Sequence, residues 1–173
     1  MKPKTRIYDT LLAEHLAKQR QMAFISGPRQ VGKTTTCRVH SDTYIDWDNI
    51  DDRESILAGP ARLIDHYRLD RLSRTPPVVI FDELHKFPRW KQFLKGFFDT
   101  YADRLRILVT GSSRMDVYRR GGDSLMGRYF LYMMHPFSVA ETLTQKIPDE
   151  KRIIRQPKKI SPTNFNALWN HGG

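Results

Sequence analysis

A single cysteine, Cys37, occurs in 173 residues, so no disulfide can form within the chain and a fold stapled by such bridges is excluded. Long apolar runs are missing as well: no stretch approaches the ~20 residues that a membrane helix requires. The N-terminal MKPKTRIYDTLLAEHL has basic residues but no uninterrupted apolar stretch behind them, so it does not read as a secretory signal. Low-complexity tracts and internal repeats are absent, and the six histidines show no pairing with cysteine or carboxylate at metal-ligand intervals, so no zinc site is expected. A soluble, cytosolic protein fits these features best. Acidic side chains are also in short supply, 19 against 29 basic ones for a net charge of +10. Such an excess favours polyanionic partners (nucleotides, nucleic acid or an anionic surface) without choosing among them.

What is present is enough for one domain, or for one domain and the start of another, with a sizeable core. Residues 8–20, YDTLLAEHLAKQR, place leucines and alanines at helical spacing. MAFIS at 22–26, TYIDWD at 43–48, PPVVIFDE at 76–83, RILVTGSS at 106–113 and RYFLYMM at 128–134 read as strands. Helical segments lie between them: KTTTCRVH from residue 33, residues 51–74 with a break at Gly59-Pro60, and residues 88–102 with Pro88 in the first turn. Apolar strands alternating with helices predict an α/β fold, a mainly parallel five-stranded sheet with helices on both faces. In such folds ligands sit beyond the carboxyl ends of the strands. Here those ends carry a glycine loop, an acid pair and a serine pair.

The loop is GPRQVGKTT, residues 27–35, which fits G-x-x-x-x-G-K-[ST] through Gly27, Gly32, Lys33 and Thr34. A plain turn needs neither a cation nor a run of hydroxyls. Glycines leave backbone N–H groups free to wrap phosphate oxygens, the Lys33 ammonium reaches the outer phosphates and the Thr34 hydroxyl ligates Mg²⁺. Gly27, Pro28, Arg29, Gln30, Val31, Gly32, Lys33, Thr34 and Thr35 are therefore the expected phosphate-binding residues, placed as the pattern demands between a strand and a helix. Asp82, at the end of VVIFD, can hold the magnesium through water. Glu83 beside it is the candidate base that orients and deprotonates an attacking water. A hydroxyl of TGSS, Ser112 or Ser113, can hold that water or sense the γ-phosphate.

Together GPRQVGKTT, YIDWDN, VVIFDELHKFPRWKQFLKGFFD, ILVTGSS and SLMGRYFLYMMHPFSVAE resemble the AAA+-like branch of P-loop ATPases, with its Walker A and Walker B elements. More narrowly they resemble prokaryotic ATPases usually followed by a C-terminal domain of unknown function. The resemblance implies a three-layer P-loop NTPase fold. In it the loop strand lies between the TGSS strand and the fifth strand, with the acid-pair strand further out. It implies ATP and Mg²⁺ as ligands and hydrolysis as the reaction. It also suggests that Arg128, in Leu125-Met126-Gly127-Arg128, neutralises transition-state charge from its own or a neighbouring subunit. A surface or salt-bridged arginine is the equal alternative, and Arg114, Arg119 and Arg120, beside Gly121-Gly122, are rivals. A homo-oligomer is accordingly a candidate assembly. The resemblance further implies a region beyond Gly173.

The expected organisation is an N-terminal helix over 1–20, an ATPase core over 21–145 and a basic linker over 146–173, in which SPTNFNALWNHGG shows no clear element. HKFPRWKQFLK interleaves basic residues with aromatics, a pattern that suits single-stranded nucleic acid; a core-facing aromatic stripe with a solvated basic face fits it better. Cys37 reads as a packing residue and His85 as a loop residue. The leading expectation is Mg-dependent ATP hydrolysis coupled to conformational change in an attached domain or partner. The alternatives are a non-hydrolysing nucleotide-gated switch or nucleic-acid-binding module, and a small-molecule kinase, against which the acid pair favours water as the nucleophile.

Overall fold

The computed structural model describes residues 5–71, 73–112, 125–144 and 158–171. Along them run α1 (Ile7–Lys18), β1 (Met22–Gly27), α2 (Lys33–Arg38), β2 (Tyr44–Asp46), α3 (Ile50–Leu57), α4 (Pro60–His66), β3 (Val78–Asp82), α5 (Trp90–Tyr101), β4 (Arg106–Ser112), β5 (Tyr129–Met133), α6 (Val139–Leu143) and α7 (Pro162–His171). The described strands form a five-stranded sheet in the order β2-β3-β4-β1-β5, and every pairing is parallel. The loop strand β1 thus lies between β4 and β5, with β3 further out, as the resemblance implied.

Alternation along the strands divides the core into two layers, because successive side chains leave opposite faces of a sheet. Met22 and Phe24 pack with Val79, Phe81, Ile107 and Val109 against Ile56 of α3, Leu63 of α4 and Leu94, Phe97 and Phe98 of α5. Ala23 and Ile25 pack with Ile80 and Leu108 against Leu12 of α1 and Cys37 of α2. Helices cover both faces, and the fold is the three-layer α/β arrangement of P-loop NTPases. Among the described strands β5 lies at one edge, and Phe130 and Met133 on it stay exposed.

Local chemistry sets the element ends. Asn49 accepts hydrogen bonds from the N–H groups of Asp51 and Asp52 and caps α3. Ser138 and Glu141 form a capping box at the start of α6. A single turn of 3₁₀ helix at Leu84–Lys86 follows β3, so the segment expected from residue 88 becomes α-helical only at Trp90, and Pro88 precedes the helix. On α5, Trp90, Leu94, Phe97 and Phe98 are buried while Lys95 is exposed. Of the aromatics interleaved with basic residues here, Phe87 and Trp90 lie in the core and the partly buried Phe93 packs against it. The tail differs from expectation: Pro162–His171 is helical. Ser161 caps it by accepting from the Asn164 N–H, and Pro162 suits a first turn. Residues 145–157, which hold much of the basic linker, lie outside the described residues.

Cys37 is fully buried behind the glycine loop, and burial pushes its thiol up to about 12. Alkylation by iodoacetamide at neutral pH should therefore fail on the folded chain and go to completion in denaturant, as read by intact-mass spectrometry. Prompt labelling of the native chain would contradict this packing of α2.

Candidate functional site

β1 runs directly into the glycine loop. A Cβ at Gly27 would collide with the Met134 carbonyl oxygen, so only glycine lets the loop leave the strand this closely against the chain that follows β5. Gly32, at φ 92° and ψ 17°, and Gln30, at φ 64°, occupy the left-handed region. Left-handed residues interleaved with ordinary ones turn successive N–H groups toward one concavity, the geometry of an anion nest. α2 opens at Lys33, so the lysine, Thr34 and Thr35 rise from the floor of that concavity.

The loop faces a cavity of about 360 Å³ lined by Arg29, Gln30, Gly32, Lys33, Thr34, Thr35, Asp82 and Glu83. Lys33 Nζ lies across the loop and donates to the Gly27 carbonyl at 3.0 Å and the Pro28 carbonyl at 2.6 Å. Burial lowers its pKa below the usual lysine value, against the opposing pull of Glu83 and Asp82. Val31 is buried beneath the loop.

Asp82 ends β3 at the same edge of the sheet. Its carboxylate accepts from the Thr34 hydroxyl at 3.1 Å and from the Glu83 N–H at 3.0 Å. The Tyr44 phenol and the Thr110 hydroxyl also donate to it. Burial, reinforced by the bond to Asp82, pushes the Tyr44 phenol above its ordinary range, so it stays protonated and remains a donor. Thr34 and Asp82 together offer a hydroxyl and a carboxylate oxygen, hard donors of the kind magnesium takes. Among the described residues no cluster of three or more His, Cys, Asp or Glu side chains is placed to hold a metal ion. One carboxylate with one hydroxyl fits an ion that keeps most of its ligands as phosphate oxygens and water.

Glu83 follows Asp82 with φ 52°, a left-handed conformation uncommon for a residue with a side chain. This turns its carboxylate out of the strand and along the cavity wall. There it meets Lys86 Nζ at 3.2 Å and His85 Nε2 at 3.8 Å, while Lys86 also pairs with Asp48. His85 Nε2 lies 3.5 Å from the Ser112 hydroxyl, so His85 stands between Glu83 and Ser112. Ser112 pairs with Gly27 in the β1–β4 register, level with the start of the loop. Ser113, Arg114, Arg119 and Arg120 lie outside the described residues.

Arg128 is not part of this site. Its carbonyl accepts from the Met22 N–H, which puts it at the amino end of β1, whereas the loop leaves the carboxyl end. Six residues of strand separate the two levels, about 20 Å at ~3.3 Å per residue. Its guanidinium is held instead by Asp99 of α5, at 2.7 and 3.1 Å. Within one subunit the guanidinium therefore sits at the opposite end of β1 from the glycine loop.

Three participants were missed from the sequence. Thr110 lies opposite Asp82 in the β3–β4 register, and aligning the two strand ends would have singled it out from TGSS. Tyr44 has no local signal, since only the pairing of β2 with β3 brings the phenol to Asp82. Arg6 is one of 29 basic side chains and nothing in its neighbourhood distinguishes it, yet it is buried and bonded to the loop.

Residues 19–143 match the model of a family described as AAA domain, well over half of the chain. No protein of curated function matches. Sixty-six chains of solved structures match. One is the crystal structure of the Pyrococcus furiosus Hef helicase domain, at 12% identity and a TM-score of 0.36 over 75% of this chain and 38% of that one. The chain spans well under half the length of that protein.

Because Thr110 donates to a buried carboxylate, Thr110→Val should remove a hydrogen bond worth about 1.5–3 kcal/mol while keeping the side-chain shape. Urea unfolding should show a loss of that order. A loss within the scatter of a neutral surface substitution would mean that the hydroxyl does not support Asp82.

Proposed function

The chain belongs to the AAA domain family, and on that premise we propose that it binds and hydrolyses ATP with magnesium at the glycine loop. The observation that carries this reading is the direct bond between Thr34, on the helix that opens from the loop, and Asp82, at the end of a strand two positions away in the sheet. A loop that merely connected β1 to α2 would need no carboxylate brought from β3. The contact brings Gly32, Lys33, Thr34 and Asp82 to the wall of one cavity, which supports this reading.

The roles follow from position. Loop N–H groups and Lys33 take the phosphate oxygens and the negative charge they carry. Thr34 and Asp82 would hold a magnesium ion, which would supply further charge neutralisation. Glu83, on the cavity wall, accepts the proton of the water whose oxygen attacks the terminal phosphorus as the bond to the ADP oxygen breaks. Ser112, close to His85, helps to place that water. The charge-stabilising arginine comes from the 114–120 segment or from Arg128 of a neighbouring subunit in a homo-oligomer. Turnover is coupled to an attached C-terminal region or a partner, with 21–145 as the ATPase core, 1–20 as the preceding helix and 146–173 as the connection. Nucleic acid is a candidate partner on charge alone.

A second reading, a nucleotide switch without hydrolysis, draws on the Glu83–Lys86 ion pair, which engages the proposed base. Substitution separates the two. Glu83→Gln should bind Mg·ATP about as well as the parent and release phosphate at least tenfold more slowly, whereas Lys33→Ala should weaken binding about 10- to 150-fold. Both are read by titration of a fluorescent ATP analogue beside a phosphate-release assay. Parental release from Glu83→Gln would remove Glu83 as the base, and unchanged affinity in Lys33→Ala would remove the phosphate-cradle reading.

A further inference from the structure

The loop is held from behind by a buried ion pair that the proposed chemistry does not use. Arg6, just before α1, donates through Nε to Glu141 Oε1 at 2.8 Å and through Nη2 to Glu141 Oε2 at 3.2 Å. Its remaining reach goes to backbone: Nη1 to the Val31 carbonyl at 2.6 Å and Nη2 to the His135 carbonyl at 2.8 Å. The side chains are only 10% and 5% exposed, and the rings of Tyr8 and Phe137 lie 5.5 and 5.2 Å from the guanidinium. Glu141 also accepts from the N–H groups of Ile7 and Ser138. Burial pushes its carboxyl up, but the bonds from Arg6, Ser138 and Ile7 outweigh this, and its pKa falls below the ordinary value.

A buried ion pair is weak evidence for stability, since desolvation offsets much of its attraction. What sets this one apart is its third partner. In a planar trans peptide the carbonyl of one residue and the N–H of the next point in opposite directions. Arg6 fixes the Val31 carbonyl on the buried side, so the Gly32 N–H must face the other way. Gly32 lines the cavity. Residues on both sides of Val31, Gln30 and Gly32, have positive φ, and glycine crosses between φ regions at little cost. Left alone, this peptide could turn over and present a carbonyl oxygen to phosphate.

We propose that Arg6, locked by Glu141, is a positioning residue that holds the Val31–Gly32 peptide in its phosphate-binding orientation. It touches no substrate and acts through the loop. Arg6 lies just before α1 and Glu141 on α6, so nucleotide affinity depends on both segments being seated. The inference rests on the phosphate-cradle reading of the loop.

The test is calorimetric titration with Mg·ATP and, separately, with inorganic tripolyphosphate, which lacks base and ribose. The variant is Arg6→Met with Glu141→Gln, which leaves no buried charge unpaired and keeps an oxygen to cap α6. Expected is a stoichiometry of one with Kd raised about tenfold for both probes, the loss of one hydrogen bond to a charged oxygen. A purely structural role would instead lower the stoichiometry at parental Kd, and that result overturns the proposal. Parental Kd and stoichiometry overturn it as well. Lys33→Ala is run beside it: if that variant binds as tightly as the parent, or the parent binds neither probe, the phosphate-cradle reading fails and the proposal with it. Should the double variant lose cooperative unfolding, Arg6→Lys decides. Its single ammonium can keep the charge pair but cannot also span both carbonyls. Kd at least threefold higher at a stoichiometry of one supports the clamp, and parental Kd rejects it.

Discussion

One buried carboxylate ties this end of the molecule together. Asp82 is 8% exposed, and leaving a charge there without partners would cost several kcal/mol. The chain answers with four donors from separate segments: Thr34 of α2, Tyr44 of β2, Thr110 of β4 and the N–H of Glu83. Each needs its own element in register, so satisfying Asp82 fixes β2, β3, β4 and the helix after the loop relative to one another. The same arrangement sets the electrostatics of the cavity, with a carboxylate on its wall and Lys33 above the loop.

The sheet order explains why the loop and the acid meet at all. β4 lies between β1 and β3, so the loop leaving β1 and the acid ending β3 are not neighbours along the backbone ladder. The space between them, over the end of β4, is the crevice that parallel sheets offer to ligands beyond their carboxyl ends. Side chains from α2 and β3 bridge it. Behind the loop, the Arg6–Glu141 pair and Met134 supply a second wall. The loop and the helix it opens are thus bonded on one side to Asp82 and on the other to Arg6.

Much of this was legible in the sequence because the signals are local. Glycine spacing, an apolar strand before it and hydroxyls after it specify the loop, and unbroken apolar runs specify buried parallel strands. What escaped depends on contacts between distant segments. Tyr44 reaches Asp82 only through β2–β3 pairing, and Arg6 reaches Glu141 across 135 positions. Arg128 shows the limit of a local motif. It precedes a strand parallel to β1, so its place at the amino end was deducible, but the motif around it suggested a role at the other end. The terminal helix α7 was overlooked because the Ser161-Pro162 start signal was not weighed against the poor patterning after it.

In the proposed function Asp82 and Thr34 form the magnesium-dependent part of an ATP site. Titrating ATP into the parent chain and into Asp82→Asn, each with excess magnesium and with EDTA, tests it most directly. Expected is saturable one-to-one binding by the parent that is tighter in magnesium, and a much smaller magnesium effect in Asp82→Asn. Binding by the parent that is indifferent to magnesium, or an equal magnesium effect in both proteins, would contradict it.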